Sequence, residues 1–305
     1  MNQQEPISIS IILVNYNGAE VLPDCLSSIK KVIDIPNYEV IVVDNASNDG
    51  SVELIAEKFS EVRLIRESKN RGFGAGNNIG AKFATGEFLL LLNTDTILTN
   101  NILPHLIELI QADPQIGIIG PKLLNPDGSL QISISPALGI QGEYQARQMH
   151  QDYLNISLQN LIEQKFQEIQ EVDIVVGAAF FIRSSLFHQL GGFDENFFMY
   201  FEESDLCQRA QYQGYKIIYT PHVSLIHLKA YSIQKAANTM AIEYRRSQIY
   251  YYQKHRPWWE QILLRVYLFY KFFGEFVITA NPNSLKIIIL LFTVKKSAVQ
   301  VSVSN

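Results

Sequence analysis

Asp95 follows a short apolar run, in a position where its carboxylate could bind a cation. The run is Phe88–Leu92, and only Asn93 and Thr94 separate it from Asp95. A carboxylate at the end of a buried strand can hold a divalent cation against a diphosphate with little movement. The same loop could equally form a turn that is capped by its own amide and hydroxyl groups, so both interpretations stay open at this point.

A second acid, Asp44, stands in the same relation to an apolar run that starts at Tyr38. Its carboxylate could accept hydrogen bonds from the base or ribose of a nucleotide. It could also be a turn residue that opens a helix expected to start near Ser51. Taken by itself, the segment favours the turn.

Three carboxylates lie close together at Glu202, Glu203 and Asp205, next to a cluster of aromatic residues that ends at Phe201. A run of charges is usually a solvated face, but the aromatic neighbours favour a partly buried site. Burial raises the pKa of a glutamate, which suits a general base that removes a proton from a sugar hydroxyl. If a helix begins here, its N-terminus also favours these acids.

His227 is the remaining candidate metal ligand, and it follows an apolar stretch at 223–226. A lone histidine beside apolar residues is more often a core residue than a metal ligand. Only a neighbouring Asp95 would change that balance in favour of a metal.

A glycine-rich segment at 72–76 has the pattern G-x-G-x-G and follows the third expected strand. A dinucleotide fingerprint would read G-x-G-x-x-G and follow the first strand, so the pattern argues against such a cofactor. A loop that packs close to a phosphate or a sugar and an ordinary connection both remain open. The polar side chains beside it are Arg71, Asn77 and Asn78.

These residues sit where apolar strands and amphipathic helices alternate along the first half of the chain. Strands are predicted at 7–14, 38–43, 62–65 and 88–92, with helices at 19–31, 51–59 and up to Ala84. Such alternation predicts an α/β fold with a mostly parallel sheet, whose functional residues lie at the carboxyl ends of the strands. Asn15, Asp44 and Asp95 are therefore expected along one edge.

The second half of the chain changes character twice. Residues 140–171 are rich in glutamine and predict a helical or mobile insertion. Residues 172–182 return to a core-like sequence, and 215–219 predict a further strand. A helix of one or two turns is expected at 184–190. Beyond Ser232 the sequence looks helical to its end, so we expect a catalytic domain at 1–231 and a helical segment at 232–305.

Composition limits the classes of protein to which this chain can belong. It has 305 residues, 47% of them hydrophobic, with a net charge of −5 and a pI near 5.7. An acidic chain is a poor match for nucleic acid as a partner. Two cysteines and an N-terminus without a basic region argue against a secreted protein, so a cytoplasmic location is expected.

Six segments, taken in order, resemble the inverting family 2 glycosyltransferases with a GT-A fold, and within them a rhamnosyltransferase-like group. They are VNYNG, VVDNASNDGS, NRGFGAGNN, LLNTD, GGFDE and FEESDL, at 14–18, 42–51, 70–78, 91–95, 191–195 and 201–206. The resemblance covers roughly residues 7–231. No single segment is specific, but their order and spacing are.

The resemblance assigns roles to individual residues. It implies that Asp95 is the last acid of a D-x-D motif that binds Mn²⁺ or Mg²⁺ and, through the metal, the donor diphosphate. Asn93 stands in place of the first acid, which makes His227 more plausible as a second metal ligand. Glu203 matches the catalytic base of the family, with Asp205 and Glu202 as alternatives. The residues expected to bind the donor nucleotide are Val14, Tyr16, Asn17, Asp44, Asn70, Arg71, Gly74, Asn77, Asn78, Asn93 and Thr94.

The implied activity is transfer of rhamnose or another hexose from a nucleotide-diphosphate sugar to a glycan or lipid-linked acceptor in cell-surface polysaccharide synthesis. A single metal-assisted displacement would invert the anomeric centre. Two other functions are weighed. A nucleotidyltransferase would need a basic phosphate loop where the chain has residues 15–18. A non-catalytic carbohydrate-binding or scaffold homologue is compatible with Asn93 and Glu203, which depart from the family pattern.

The C-terminal segment has one apolar face from Ile262 to Ala280. Arg265, Lys271 and Glu275 fall on the other face, and three charges weaken a transmembrane interpretation. Two alternatives remain for this segment. The helices pack on the catalytic domain or on a second subunit of a homo-oligomer, or they dock peripherally on the inner face of the cytoplasmic membrane, with Trp258 near the interface.

Overall fold

The computed structural model describes residues 8–155, 157–228 and 230–293. The chain divides into two compact units. One contains the residues up to Phe198 together with Glu202–Lys235, and the other contains Met199–Phe201 and the chain from Ala236 onward. The division falls close to the boundary that we expected after residue 231.

The first unit is built on a mixed sheet with helices between the strands. Its strands are β1 (Ile9–Asn15), β2 (Tyr38–Asp44), β3 (Arg63–Arg66), β4 (Phe88–Leu92), β5 (Thr96–Leu98), β6 (Ile116–Leu124), β7 (Leu130–Gln131), β8 (Ile134–Ser135), β9 (Gln170–Glu171), β10 (Ile174–Val175), β11 (Ala179–Arg183) and β12 (Lys216–His227). The main order is β3-β2-β1-β4-β11-β6-β12-β5, and β8 and β10 form a separate pair.

Helices connect and flank these strands. They are α1 (Leu22–Val32), α2 (Ser51–Lys58), α3 (Phe73–Phe83), α4 (Leu103–Ala112), α5 (Ile140–Leu154), α6 (Gln159–Lys165), α7 (Ser184–Gln189), α8 (Glu202–Tyr212), α9 (Ala230–His255), α10 (Trp258–Thr279) and α11 (Pro282–Thr293). The polar segment 140–171 is thus largely helical.

The predicted α/β fold is confirmed in the half of the sheet formed by β3, β2, β1 and β4. These strands are parallel, and residues in β1, β2 and β4 are almost wholly apolar because helices cover both faces. Asn15 pairs in register with Asp44, so both side chains emerge at the carboxyl edge, as expected. Asp95 follows β4 at the same edge.

The other half of the sheet contains β5 and β6, which the sequence analysis did not assign, together with β11 and β12. β11 runs antiparallel to both β4 and β6, and β12 runs parallel to β6. β12 is also longer than the strand expected at 215–219. It continues to His227, where it pairs with β5. This extension carries the histidine to the edge where Asp95 lies.

The second unit is helical in its described part, as predicted. Its helices are the C-terminal part of α9, then α10 and α11, which pack against each other. Within the residues that the structure describes, none of the helices combines the length and the apolar character that are needed to cross a bilayer. Residues 294–305, which complete the predicted helical segment, lie outside the described part.

Candidate active site

Asn15 and Asp44 form the centre of a hydrogen-bonded cluster at the ends of β1 and β2. The Asn15 amide donates to Asp44 Oδ1 at 2.9 Å and to Ser51 Oγ at 2.8 Å, and all three side chains are buried. The N–H of Ser47 donates to the other Asp44 oxygen at 3.0 Å. Asp44 is therefore held rigidly by the protein, and its lone pairs exceed the two donors it already has.

The loop after β1 places the expected nucleotide-pocket residues beside this cluster. Asn17 has a left-handed backbone (φ 53°), its N–H donates to Ser47 Oγ, and its side-chain oxygen accepts from the N–H of Asn48. Tyr16 is 54% exposed, so its ring is free to stack on a planar group. Val14 is partly buried against α3, where a Cβ at Gly76 would lie 2.6 Å from it.

The glycine-rich segment forms the start of α3 and packs against the chain before α8. Gly72 has φ 90°, and a Cβ there would collide with the carbonyl of Phe198. Asn70 accepts a hydrogen bond from the N–H of Gly72 at 2.8 Å. Arg71 pairs with Glu67 at 2.8 Å. Asn70 and Arg71, which were expected to bind the nucleotide-sugar donor, therefore each have a partner within the loop.

Asn78 and Asn77 on α3 have different surroundings. The Asn78 amide donates to the carbonyl of Phe193 and accepts from its N–H, so this side chain braces the loop at 191–195. Asn77 donates to the carbonyl of Phe73, but its buried Oδ1 has no donor within the described residues. Gly74 lies against Phe193: a Cβ added at Gly74 would lie 3.0 Å from Phe193 Cβ.

Asp95 and His227 come together although 131 positions separate them in the sequence. The distance from His227 Nε2 to Asp95 Oδ1 is 3.3 Å, and both side chains are buried. Asn93 Nδ2 lies 3.5 Å from the same imidazole nitrogen. Thr94 lies near Gly18, on the β1 side of the loop. The condition on which the interpretation of His227 as a metal ligand depended is therefore met.

Gln131, which the sequence analysis did not single out, contacts the other nitrogen of this histidine. Its Oε1 lies 2.7 Å from His227 Nδ1, and its Nε2 donates to the carbonyl of His227 at 3.1 Å. The side chain is only 4% exposed. One glutamine in a two-residue strand gives no sequence signal, because the partner histidine is 96 positions away.

The donor set around Asp95 fits a divalent metal whose remaining ligands come from the substrate. Magnesium and similar ions are commonly bound by one or two protein ligands together with phosphate oxygens and water. Asp95 supplies a carboxylate and His227 a nitrogen that faces it. Across the described ranges, no group of three histidine, cysteine, aspartate or glutamate residues could hold a metal unaided. Within these ranges, Asp95 and His227 would therefore leave coordination positions for the substrate and water.

Glu202 and Glu203 form a second buried acidic pair at the start of α8. Burial and the neighbouring Glu203 raise the pKa of Glu202 well above its ordinary value. Burial also raises the pKa of Glu203, opposed by hydrogen bonds from the main chain at Gly177 and Ser204. One oxygen of each glutamate is buried without a donor in the described part of the chain. Such a pair holds one proton at a pH where an exposed pair would be ionised.

Asp205, the third acid, has a different environment. Its fully buried carboxylate pairs with Arg209 at 2.7 Å. Arg209 also donates to the carbonyls of Leu190 and Gly192, at 2.7 and 2.8 Å. Asp205 therefore anchors α8 to the glycine turn that precedes Phe193, and its charge is compensated within the protein.

The glutamate pair and the Asp95 loop meet at the segment between β10 and β11. Glu203 packs against Gly177, and the next residue, Ala178, accepts a hydrogen bond from the N–H of Asn93 at 2.9 Å. The two acidic sites thus lie on either side of one short stretch of backbone. This arrangement places a candidate base and a candidate metal site at the same edge of the sheet.

Known proteins are similar to this chain in sequence and in fold. A family model described as Glycosyl transferase family 2 matches residues 10–191. An N-acetylglucosaminyl-diphospho-decaprenol L-rhamnosyltransferase of Mycobacterium tuberculosis is 26% identical over 82% of this chain and 86% of its own length. The low-salt glycan biosynthesis hexosyltransferase Agl10 of Haloferax volcanii is 29% identical, over 72% of this chain and 66% of its own.

Solved structures share the fold at lower identity. The mannosyltransferase PcManGT from Pyrobaculum calidifontis, solved with GDP-Man and Mn²⁺, has a TM-score of 0.56 at 19% identity, over 95% of this chain and 76% of its own. GalNAc-T7, solved with UDP, GalNAc and Mn²⁺, has a TM-score of 0.61 at 16% identity, over 94% of this chain and 54% of its own. The chain spans 39% of S. aureus TarS, which has a TM-score of 0.53 at 17% identity over 80% of this chain.

The family match covers more than half of the chain. The sheet that carries the sequence motifs is also of the expected α/β kind. The resemblance to rhamnosyltransferase-like enzymes is likewise confirmed by the mycobacterial relative. This chain belongs to glycosyl transferase family 2 and is a glycosyltransferase with a GT-A fold.

Proposed function

We propose that this glycosyltransferase moves L-rhamnose or another hexose from a nucleotide diphosphate to a lipid-linked glycan acceptor, with inversion of the anomeric centre. The observation that carries the proposal is the position of Asp95 and His227 at the same sheet edge as the buried Glu202–Glu203 pair. A metal-diphosphate site beside a carboxylate of raised pKa is what a single displacement at a sugar carbon needs. The name of the mycobacterial relative supports the donor sugar and the acceptor class.

Asp95 and His227 would hold the divalent metal together with the donor diphosphate. A bound divalent cation supplies compensation for the negative charge that develops on the departing diphosphate. The Mn²⁺ in the structures of PcManGT and GalNAc-T7 supports Mn²⁺ as the ion for this fold. Asp95 sits on a loop fixed by the hydrogen bond from Leu228 N–H to its carbonyl, so the carboxylate is held in place before the donor binds.

Glu203 would act as the general base. Its carboxylate accepts the proton of the acceptor hydroxyl while the hydroxyl oxygen attacks the anomeric carbon from the face opposite the diphosphate. Burial raises its pKa toward the working range of a base, and Glu202 beside it favours uptake of a proton by the pair. Asp205 is already paired with Arg209, so we assign it a structural role.

The nucleotide of the donor would bind at the β1–β2 side of the edge. Asp44 has lone pairs that its two protein donors leave over, and these can accept from a base or ribose. Tyr16 is exposed beside it and can cover the base. Asn70, Arg71 and Asn78 would contribute to donor binding by shaping the chain around the start of α3, since each already has a partner within the protein.

We further propose that the C-terminal unit binds the membrane surface where a lipid-linked acceptor is found. The apolar face expected on α10 exists, and large side chains along it are exposed. They include Trp258, Ile262, Val266, Tyr270, Phe273 and Val277. The buried side chains of α10 lie on the opposite face and include Leu264, Leu268 and Phe272. On that face Glu260 pairs with Arg256 and Arg265 donates to the carbonyl of Leu291, whereas Lys271 is exposed. An apolar face that points outward is suited to lipid.

Charge favours an anionic bilayer over a second copy of the chain as the partner of this face. Residues 236–305 contain nine basic and three acidic residues, a net charge of +6, whereas residues 1–235 carry −11. Basic amphipathic helices bind anionic lipid surfaces by combining buried apolar area with electrostatic attraction. Two copies of the positive segment would repel each other.

The transferase proposal is tested by product formation. The purified full chain is incubated with Mn²⁺, a polyprenyl-diphosphate-linked sugar acceptor and one of a panel of donors, including dTDP-rhamnose, UDP-GlcNAc and GDP-mannose. We expect release of nucleoside diphosphate and formation of a glycosylated lipid. NMR of this product should show that the anomeric configuration is inverted relative to the donor. Nucleotide release without inversion would contradict the mechanism, and absence of turnover with every donor would favour a non-catalytic homologue.

The membrane proposal is tested separately, without any donor. Val266→Glu introduces a charge on the exposed face of α10, and Tyr144→Glu introduces one at an exposed position of α5 as the matched control. We expect co-sedimentation with phosphatidylglycerol vesicles to be lost only in Val266→Glu. Equal pelleting of both variants contradicts the proposal, and a dimer that dissociates in Val266→Glu would identify a second copy as the partner instead.

A further inference from the structure

The orientation of the Gln131 amide is determined by its neighbours. Its nitrogen lies 3.1 Å from the carbonyl oxygen of His227 and 2.9 Å from Asn125 Oδ1. A main-chain carbonyl can only accept a hydrogen bond, so the group facing it must be the NH₂ of the glutamine. Asn125 is fixed in the same way, because its own nitrogen faces the carbonyl of Leu130. The Gln131 oxygen therefore faces His227 Nδ1.

The orientation of this amide has a consequence for the histidine. Gln131 Oε1 is an acceptor and lies 2.7 Å from His227 Nδ1, so Nδ1 must carry a proton. In a neutral imidazole the other nitrogen, Nε2, then keeps its lone pair, which Asn93 Nδ2 approaches to 3.5 Å. This lone pair faces Asp95 Oδ1 at 3.3 Å, and two acceptors that face each other attract a cation between them.

We propose that Gln131 is a positioning residue that holds His227 in its Nδ1–H form, so that the Nε2 lone pair is available at the Asp95 site. The role of Asp95 and His227 as metal ligands rests on the proposed function, but the tautomer of His227 does not. Partners of this kind orient metal-binding histidines, and their loss typically weakens metal binding about 10- to 100-fold.

Loss of Gln131 would leave His227 with a competing partner. In Gln131→Leu an Nδ1–H group has no acceptor at this position, whereas Asp95 can accept a hydrogen bond from an Nε2–H group at the observed distance. The neutral imidazole is then expected to shift to the Nε2–H form. That form turns a proton toward the metal position and removes the lone pair.

The tautomer can be measured in the metal-free full chain by long-range ¹H–¹⁵N NMR of histidine, with the imidazole in its neutral form. We expect the Nδ1–H pattern in the wild type, the Nε2–H pattern in Gln131→Leu, and Nδ1–H again in Gln131→Glu, which keeps an acceptor. An Nε2–H pattern in the wild type overturns the proposal. The wild-type and Gln131→Glu spectra decide it even if the leucine variant does not fold.

Binding of Mn²⁺, measured by the EPR signal of the free ion in the absence of sugar acceptor, gives the second measurement. We expect Gln131→Leu to weaken it about 10- to 100-fold. Gln189→Leu is the matched control, since this exposed glutamine is the last residue of α7, which follows β11 at the sheet edge opposite Asp95. An unchanged affinity in Gln131→Leu, despite a changed tautomer, overturns the positioning role. If the wild type binds no Mn²⁺ but shows Nδ1–H, the proposed metal fails and the tautomer assignment stands.

Discussion

The two sides of the carboxyl edge leave different kinds of acceptor without a donor. On the β1–β2 side, Asp44 accepts hydrogen bonds from Asn15 and from the N–H of Ser47, so both of its oxygens have a donor. The buried oxygens with no donor at all in the described residues of β1, the loop after β2 and α3 are neutral amide oxygens, those of Asn15, Asn45 and Asn77. On the side of β4 and α8, the corresponding groups are charged. Glu202 and Glu203 each keep one carboxylate oxygen without a donor in that part of the chain.

This difference matches two different tasks. Neutral acceptors in a rigid frame suit the N–H and O–H groups of a base and a ribose, which need shape and hydrogen bonds but no change in charge. Carboxylates that lack donors need a cation or a proton, because a buried unpaired charge is costly. We therefore expect substitutions on the β1–β2 side to change donor affinity and substitutions on the other side to change turnover.

The largest effect is expected from Asp95→Asn. The variant keeps the size of the side chain but removes the Asp95 carboxylate that faces His227. Loss of several kcal/mol of metal assistance corresponds to about a 10³- to 10⁴-fold decrease in kcat. Nucleoside diphosphate release with Mn²⁺ titration measures it, and Asp34→Asn, a change at an acid that bonds to Asn101, serves as the control. Retention of Mn²⁺-dependent turnover would contradict the metal assignment.

The second largest effect is expected from Glu203→Gln. The amide cannot accept the acceptor proton, and loss of a general base typically lowers kcat about 10²- to 10⁴-fold. Donor affinity should stay within a few-fold of the wild type, because the nucleotide binds on the other side of the edge. Wild-type-like turnover in Glu203→Gln combined with loss of turnover in Glu202→Gln would transfer the role of base to Glu202.

A third prediction concerns stability rather than chemistry. Asp205→Asn leaves Arg209 without its carboxylate partner in a mostly buried position. Removal of one partner of a buried pair typically costs about 3 kcal/mol or more. Urea denaturation should show this loss, and Lys216→Met, which breaks the half-exposed pair with Asp113, should cost less than about 1 kcal/mol. Equal costs would argue against the anchoring role of Asp205.

The sequence could predict the elements that depend on local pattern but not the contacts between distant segments. The ends of β1, β2 and β4 were predicted because apolar runs stop abruptly at polar loops. The partnership of Gln131 with His227 and the pairing of Asp205 with Arg209 depend on tertiary packing, to which no local pattern points. The sequence also does not predict the left-handed backbones of Tyr200 and Phe201 (φ 69° and 70°), because bulky residues rarely adopt this conformation.

The smallest effect is expected from Glu202→Gln, which tests whether the Glu202–Glu203 pair holds a proton in the folded protein. Burial and Glu203 raise the pKa of Glu202 above its value in the unfolded chain. The folded protein therefore keeps a proton that the unfolded chain releases, and folding stability falls as pH rises from the unfolded pKa to the folded one. Glu202→Gln carries no such proton, so it gains stability relative to the wild type across this window.

We expect the stability of Glu202→Gln relative to the wild type to increase by up to about 1.4 kcal/mol for each pH unit above the unfolded pKa of Glu202, measured by urea denaturation at each pH. Glu57→Gln, at an exposed position of α2, is the control and should follow the wild-type profile. A stability difference between Glu202→Gln and the wild type that does not change with pH would mean that Glu202 keeps its ordinary pKa in the folded state. The contrast between the two sides of the edge would then be lost.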